Sequence, residues 1–304
     1  MPEGTKQLYV VSADLEAVTN RWGKSEGIIT PQPEYYELHH SVLADELAKA
    51  TDCEIEIVSA DDISKGMHQK LKGTHLPIIS LDRAYITDDD NASHIEFTRA
   101  VTEDFSPILG YRGLGLSPRP GALDIASQIG ALSAKSREPV CLVDDVLFSG
   151  AGLKAVAEML EEVNRPVEKV IVGIGVGSGI NLLRTLGVEI DCVKEYDEVY
   201  DEVCERDFIL GAPLSGRTVL KDGGTWWSAP YLEPFGSTSW ASIPEDKSEQ
   251  FSKVCTDLSY RYWKEIERLN GFTIPGDKIP RPVRALQKAP SITKALQEIL
   301  LETV

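Results

Sequence analysis

Two adjacent carboxylates, Asp144 and Asp145, stand directly before a run of mostly small residues, Val146-Leu147-Phe148-Ser149-Gly150-Ala151-Gly152. Small residues let a backbone close around an anion, and the N–H groups that open a helix point at it. Ser149 adds a hydroxyl donor, and Gly150 and Gly152 admit close approach without a Cβ. Carboxylates repel phosphate, so Asp144 and Asp145 need another partner, and vicinal sugar hydroxyls are good donors to them. A phosphate gripped by the loop and a diol gripped by the acids describe a ribose 5-phosphate.

The surrounding pattern supplies elements to position these groups. Val140 to Val143 reads as a short buried strand ending at the acids. Leu153, Val156, Ala157, Leu160 and Val163 fall on one face of a helix that begins at once after the loop. Further strands are expected at 7–12, 54–59, 75–81, 107–111, 168–175 and 188–193. Helices are expected at 43–49, 122–133, 180–186, 248–269 and 291–302, with one more running from the Asn91–Ser93 cap to about Glu103 and an acidic one before Arg206. The alternation from about 107 to 196 implies α/β with a parallel sheet and right-handed crossovers. Ligands of such sheets bind beyond the carboxyl ends of the strands, where Asp144, Asp145 and the Ser149 loop fall.

The stretch VCLVDDVLFSGAGL, residues 140–153, resembles the PRPP-binding motif of the type I phosphoribosyltransferases. That pattern is a hydrophobic strand, two acids, two variable residues, a small residue or Thr, then Thr/Ser, Gly, any residue and Thr/Ser. Asp144, Asp145, Ser149 and Gly150 match it. Phe148 is bulky where Thr or Ala is usual, and Gly152 stands where a hydroxyl usually meets the 5′-phosphate.

The resemblance implies a Rossmann-like parallel sheet of the type I phosphoribosyltransferase kind, with an N-terminal α/β extension over 1–75, a core over 76–221, and an aromatic loop with C-terminal helices over 222–304 as a hood. It implies transfer of a phosphoribosyl group between PRPP and a base-like acceptor with Mg²⁺ as cofactor, the ion reaching Asp144 and Asp145 only through bound PRPP. The catalytic residues it implies are Asp144, Asp145 and Arg112. Arg112 is the first candidate for the cation facing the leaving diphosphate, since it follows an expected strand and opens a Gly-rich loop; Arg119 and Arg83 come next. Phe148, Ser149, Gly150, Ala151, Gly152 and Leu153 would surround the ribose phosphate, with Asp207 and Phe208 toward the base and diphosphate. Two alternatives stand beside the enzyme: a regulatory or sensor protein that binds PRPP or a nucleotide without transfer, and a scaffold that keeps the fold for interaction alone.

Composition narrows the partners. The 304 residues carry a net charge of -17, which argues against general nucleic-acid or anionic-membrane binding. A small phosphoribosyl substrate would then need a local cation or Mg²⁺. The five cysteines form no CxxC pair and read as free thiols of a reducing compartment, so a cytoplasmic location is expected. No run approaches the ~20 apolar residues of a membrane span. His39 and His40 are adjacent and cannot share one helix face, and Asp88-Asp89-Asp90-Asn91 lacks the alternate ligand spacing of a calcium loop, so neither is read as a metal site. Gly175 to Gly179 reads as an ordinary strand-to-helix return. Trp226, Trp227, Tyr231, Phe235 and Trp240 must pack on something: the chain's own core, a planar ligand, or a second copy in a homodimer.

Overall fold

A computed structural model describes residues 6–87, 90–110, 113–134, 136–221 and 226–302. The chain opens with β1 (Leu8–Ala13), α1 (Leu15–Glu26), α2 (Pro33–Thr51), β2 (Glu54–Ser59) and α3 (Ala60–Leu71). Four short strands follow, β3 (Ile78–Ser80), β4 (Ser93–His94), β5 (Phe97–Val101) and β6 (Leu116–Pro118), then α4 (Ile125–Ser133). The regular βα alternation comes next: β7 (Val140–Leu147), α5 (Ala151–Glu162), β8 (Val167–Val176), α6 (Gly177–Arg184) and β9 (Glu189–Tyr196). The last third holds β10 (Asp201–Cys204), β11 (Arg217–Leu220), β12 (Trp226–Ala229), α7 (Glu245–Asn270) and α8 (Ile292–Glu302).

These elements form two compact units, whose limits do not coincide with the expected cuts at 75 and 221. Unit 1 joins both ends of the chain, Met1–Ser59 and Tyr200–Val304, with Thr102–Phe105; unit 2 is Ala60–Val101 with Ser106–Val199.

Unit 1 is built on a parallel sheet of order β10-β1-β2, with Tyr9–Ser12 in register with Asp201–Cys204. The sequence suggests an acidic helix before Arg206, but pairing along β1 draws Asp201–Cys204 into a strand. The stripe Phe251, Leu258, Tyr262 and Ile266 of α7 is buried as its spacing requires, in a core with Tyr9, Leu43, Leu47 and Phe208. Trp263 is fully buried and donates from its indole N–H to the Leu210 carbonyl at 2.7 Å. His39 Nε2 meets the Leu258 carbonyl at 3.2 Å and His40 Nε2 meets Glu205 at 3.0 Å. The aromatic stretch packs within this unit: Trp227 and Phe235 are buried, Tyr231 meets Trp240 edge-on, and Arg217 lies 4.4 Å over the Trp240 ring.

Unit 2 is a five-stranded parallel sheet of order β4-β3-β7-β8-β9. Its core is aliphatic, with Ile79, Leu142, Val156, Leu160, Val170, Val172 and Ile180 buried together. Bare backbone lets α3 approach the sheet: a Cβ on Gly173 would sit 2.6 Å from Ile63, and one on Gly66 would sit 2.4 Å from Val193. Two expectations fail here. The helix placed between Asn91 and Glu103 is instead β4 and β5, because the Phe97-Thr98-Arg99 run pairs antiparallel with β6. The strand expected at 107–111 is absent from the described part of that segment, where Leu109 is 83% exposed and Gly110 turns the chain at φ 55°.

Candidate functional site

The strand order of unit 2 places a topological switch point between β3 and β7. From β3 the chain moves outward to β4, and from β7 it moves the other way through β8 to β9. In parallel sheets the crevice at such a point is where ligands sit. β3 stops at Ser80, opposite Val143, while β7 continues against β8 as far as Leu147 and Gly175. Beyond Val143 the β3 side of β7 is therefore lined by the turn that follows β3. Asp144 and Asp145 occupy that stretch, inside a strand four residues longer than the apolar run alone suggests.

Both acids are half-buried, and the Asp145 amide donates to Asp144 Oδ1 at 3.1 Å. A third carboxylate faces them. Asp82 follows β3, is buried, and accepts from the amides of Ala84, Tyr85 and Ile86 at 2.6, 2.7 and 2.8 Å. These three donors fix its orientation. Burial, reinforced by the charges of Asp145 and Asp82, pushes the Asp144 carboxyl well above the ordinary range. Burial and Asp82 push Asp145 up to about 7, against the pull of Arg119. Acids so placed favour a partner that brings protons or positive charge. Sequence reasoning passed over Asp82, although it ends an apolar strand as Asp144 does.

The loop has the geometry its small residues suggest. Gly150 is the N-cap of α5 at φ 76°, a left-handed conformation that costs glycine little, and a Cβ there would meet the Gly179 carbonyl at 3.1 Å. The α5 ladder begins when Lys154 N–H donates to the Gly150 carbonyl, and the amides before it in the first turn have no partner within the helix. Ser149 and Ala151 are exposed beside these amides, and Gly152 has open space where a side chain would stand. Phe148 is half-buried, with its carbonyl held by Ser178 Oγ at 3.1 Å. Leu153 is buried in the unit 2 core, so only its backbone could serve a ligand.

The other expected residues divide. Arg112 lies outside the described residues. Arg119 is half-buried and acts electrostatically on Asp145, whereas Arg83 is paired with Glu96. Asp207 and Phe208 belong to unit 1. Asp207 is spent on the Gly216 amide at 2.7 Å, with Arg206, Arg281 and Arg217 around it, and burial raises its pKa. Phe208 is fully buried, with Phe251 and Tyr231 against it edge-on, so burial leaves no ring face for a base.

Three solved structures can be set beside this chain. They are UMP synthase of Leishmania donovani (14% identity, 44% of this chain and 26% of that one, TM-score 0.27), orotate phosphoribosyltransferase of Aeropyrum pernix (15%, 52% and 72%, 0.25) and adenine phosphoribosyltransferase of Thermoanaerobacter pseudethanolicus (14%, 45% and 79%, 0.30). The match thus spans about a quarter of the UMP synthase chain. No protein-family model and no curated protein matches the sequence. At such identities and TM-scores the likeness stands as an observation, and the parallel α/β architecture rests on the strand pairings of the chain itself.

Among the described residues, no group of three His, Cys, Asp or Glu side chains could hold a metal ion by itself. Two acids at one rim do suit Mg²⁺ that keeps its waters and arrives with a substrate's phosphates. No helix of the described residues is long and apolar enough to cross a membrane.

Proposed function

We propose that the crevice between β3 and β7 binds a phosphorylated ribose, PRPP in the first place, and transfers its phosphoribosyl group to or from a base-like acceptor. The observation that carries this reading is the convergence of Asp144, Asp145 and the glycine-opened start of α5 at the switch point of a parallel sheet. The 5-phosphate is received by the first-turn amides of α5 and the exposed Ser149 hydroxyl. Asp144 and Asp145 accept from the ribose hydroxyls and so orient C1 toward an acceptor. Arg119, beside Asp145, supplies positive charge toward the departing diphosphate. Mg²⁺ bound with the diphosphate would neutralise part of its charge, with Asp144 and Asp145 as the residues that face it. Catalysis by such a site is mainly positioning and charge stabilisation, without a required general base.

A second reading, binding without transfer, draws on Gly152, which lacks the hydroxyl expected beside the phosphate. One experiment separates the two. PRPP and Mg²⁺ are incubated with the protein and a panel of purine and pyrimidine bases, and diphosphate release is recorded beside calorimetric binding. Transfer requires release that Asp144→Asn abolishes. Saturable binding with no release for any base leaves the sensor reading, and neither binding nor release overturns both.

A further inference from the structure

The turn after β3 aims three successive amides at one point. Ala84 N–H donates to Asp82 Oδ1 at 2.6 Å, and the Tyr85 and Ile86 amides donate to Oδ2 at 2.7 and 2.8 Å. Successive amides that converge in this way form a concave receptor for an anion. Here the chain fills that receptor with its own carboxyl group, and both oxygens of the group are engaged.

The filling is fixed in place. Leu81 N–H donates to the Val143 carbonyl at 2.8 Å, and Ser80 Oγ donates to the Asp82 carbonyl at 3.0 Å. Asp82, Ala84, Tyr85 and Ile86 are all buried. Arg83, the cation of the same turn, is paired with Glu96. The α5 side of the crevice is different. There the first-turn amides have no partner within the helix, and Ser149 is exposed beside them. One side is open to a phosphate, while the other already carries a carboxyl group where a phosphate would sit. Asp82 stands one residue beyond the Leu81–Val143 bond, where β7 reaches Asp144, and it acts electrostatically on both Asp144 and Asp145.

Resting on the reading of the site given above, we propose that Asp82 is a specificity-determining residue: it occupies the amide receptor on the β3 side, so the crevice takes a ribose phosphate through its 5-phosphate and disfavours a second anionic group at C1. The class preferred in the absence of a divalent cation is a ribose 5-phosphate with an uncharged C1 substituent, as in a nucleoside 5′-monophosphate. The diphosphate of PRPP meets no open amides after β3, and it has Arg119 alone to set against Asp82, Asp144 and Asp145.

The test is a calorimetric titration of ribose 5-phosphate and of PRPP, each with EDTA, into the full chain as wild type, Asp82→Asn and Asp82→Ala, with circular dichroism as the check on folding. The two ligands share the ribose and the 5-phosphate, so their affinity ratio isolates the diphosphate, and a general loosening of the turn would weaken both alike. Wild type should bind ribose 5-phosphate about tenfold or more tighter than PRPP, the effect of like charges set side by side. Asp82→Asn removes the charge and keeps an acceptor for the amides, so it should bring the two affinities close together. Asp82→Ala empties the receptor and should reverse the order in favour of PRPP. If Asp82→Ala fails to fold, Asp82→Ser, whose hydroxyl can still cap the turn, takes its place. Equal affinities in wild type, or a preference there for PRPP, overturn the proposal, as does a wild-type preference that survives unchanged in the variants. If both ligands bind wild type equally, the phosphoribosyl reading stands and the role of Asp82 falls; if neither ligand binds wild type, the reading falls and the proposal with it.

Discussion

At the scale of single residues, the acids at the switch point carry the account. Asp145 has its pKa raised to about 7 in the folded chain and is an ordinary carboxyl when unfolded. The folded state therefore holds an extra proton at intermediate pH. The stability contributed by that proton is complete below the ordinary carboxylate range and is lost as pH rises to about 7. Urea unfolding should accordingly give a lower midpoint at pH 8 than at pH 5, and Asp145→Asn should flatten the slope. Equal midpoints for wild type at both pH values would contradict the crowding of Asp82, Asp144 and Asp145. Phe208 gives the opposite test, because it is core in unit 1. Phe208→Leu should cost about 1–2 kcal/mol in unfolding and leave PRPP affinity unchanged; an intact midpoint with lost binding would restore it as a base platform. Asp144, Asp145 and Ser149 were legible in sequence because an acidic pair and small residues beside an apolar run break the local pattern. Asp82 was not, because its role comes from a strand that meets β7 only through pairing over sixty residues of chain.

At the scale of elements, β7 and α5 present the loop. The two glycines of that loop differ, although the sequence shows them as equals. Gly150 is at φ 76° and backs onto Gly179, so Gly150→Ala should destabilise by about 1–2 kcal/mol and weaken phosphate binding as the loop shifts. Gly152 has open space around it, so Gly152→Ser should fold normally and add a hydroxyl beside the phosphate. One added neutral hydrogen bond is worth about 1 kcal/mol, so PRPP should bind roughly fivefold tighter to Gly152→Ser by calorimetry. Weaker binding there would mean that the phosphate is not at the start of α5. The regular stretch from β7 to β9 was readable because β7 and β8 carry the apolar runs Val140–Val143 and Val170–Val172, and β9 alternates Ile190 and Cys192 with charge. The 88–118 segment was misread because its strands are short and half-exposed, and they form only through partners that local spacing does not reveal.

At the scale of the whole molecule, the net charge of -17 opposes the approach of a polyanion. Raising salt from about 10 to about 150 mM should therefore speed PRPP association in stopped-flow measurements, the reverse of the effect at a basic nucleic-acid site. A slower rate at higher salt would reveal a dominant basic funnel. The division into two units was hidden from the sequence because unit 1 is assembled from both chain ends, so no composition shift marks it. The most direct measurement is a calorimetric titration of PRPP with Mg²⁺ into wild type and Asp144→Asn, with circular dichroism confirming that both fold. The account requires saturable binding by wild type and an affinity reduced about tenfold or more in Asp144→Asn, because the amide sets a donor where a ribose hydroxyl needs an acceptor, and a buried polar group left unpaired costs about 1–3 kcal/mol. No binding by wild type, or equal affinity in the two proteins, would contradict it.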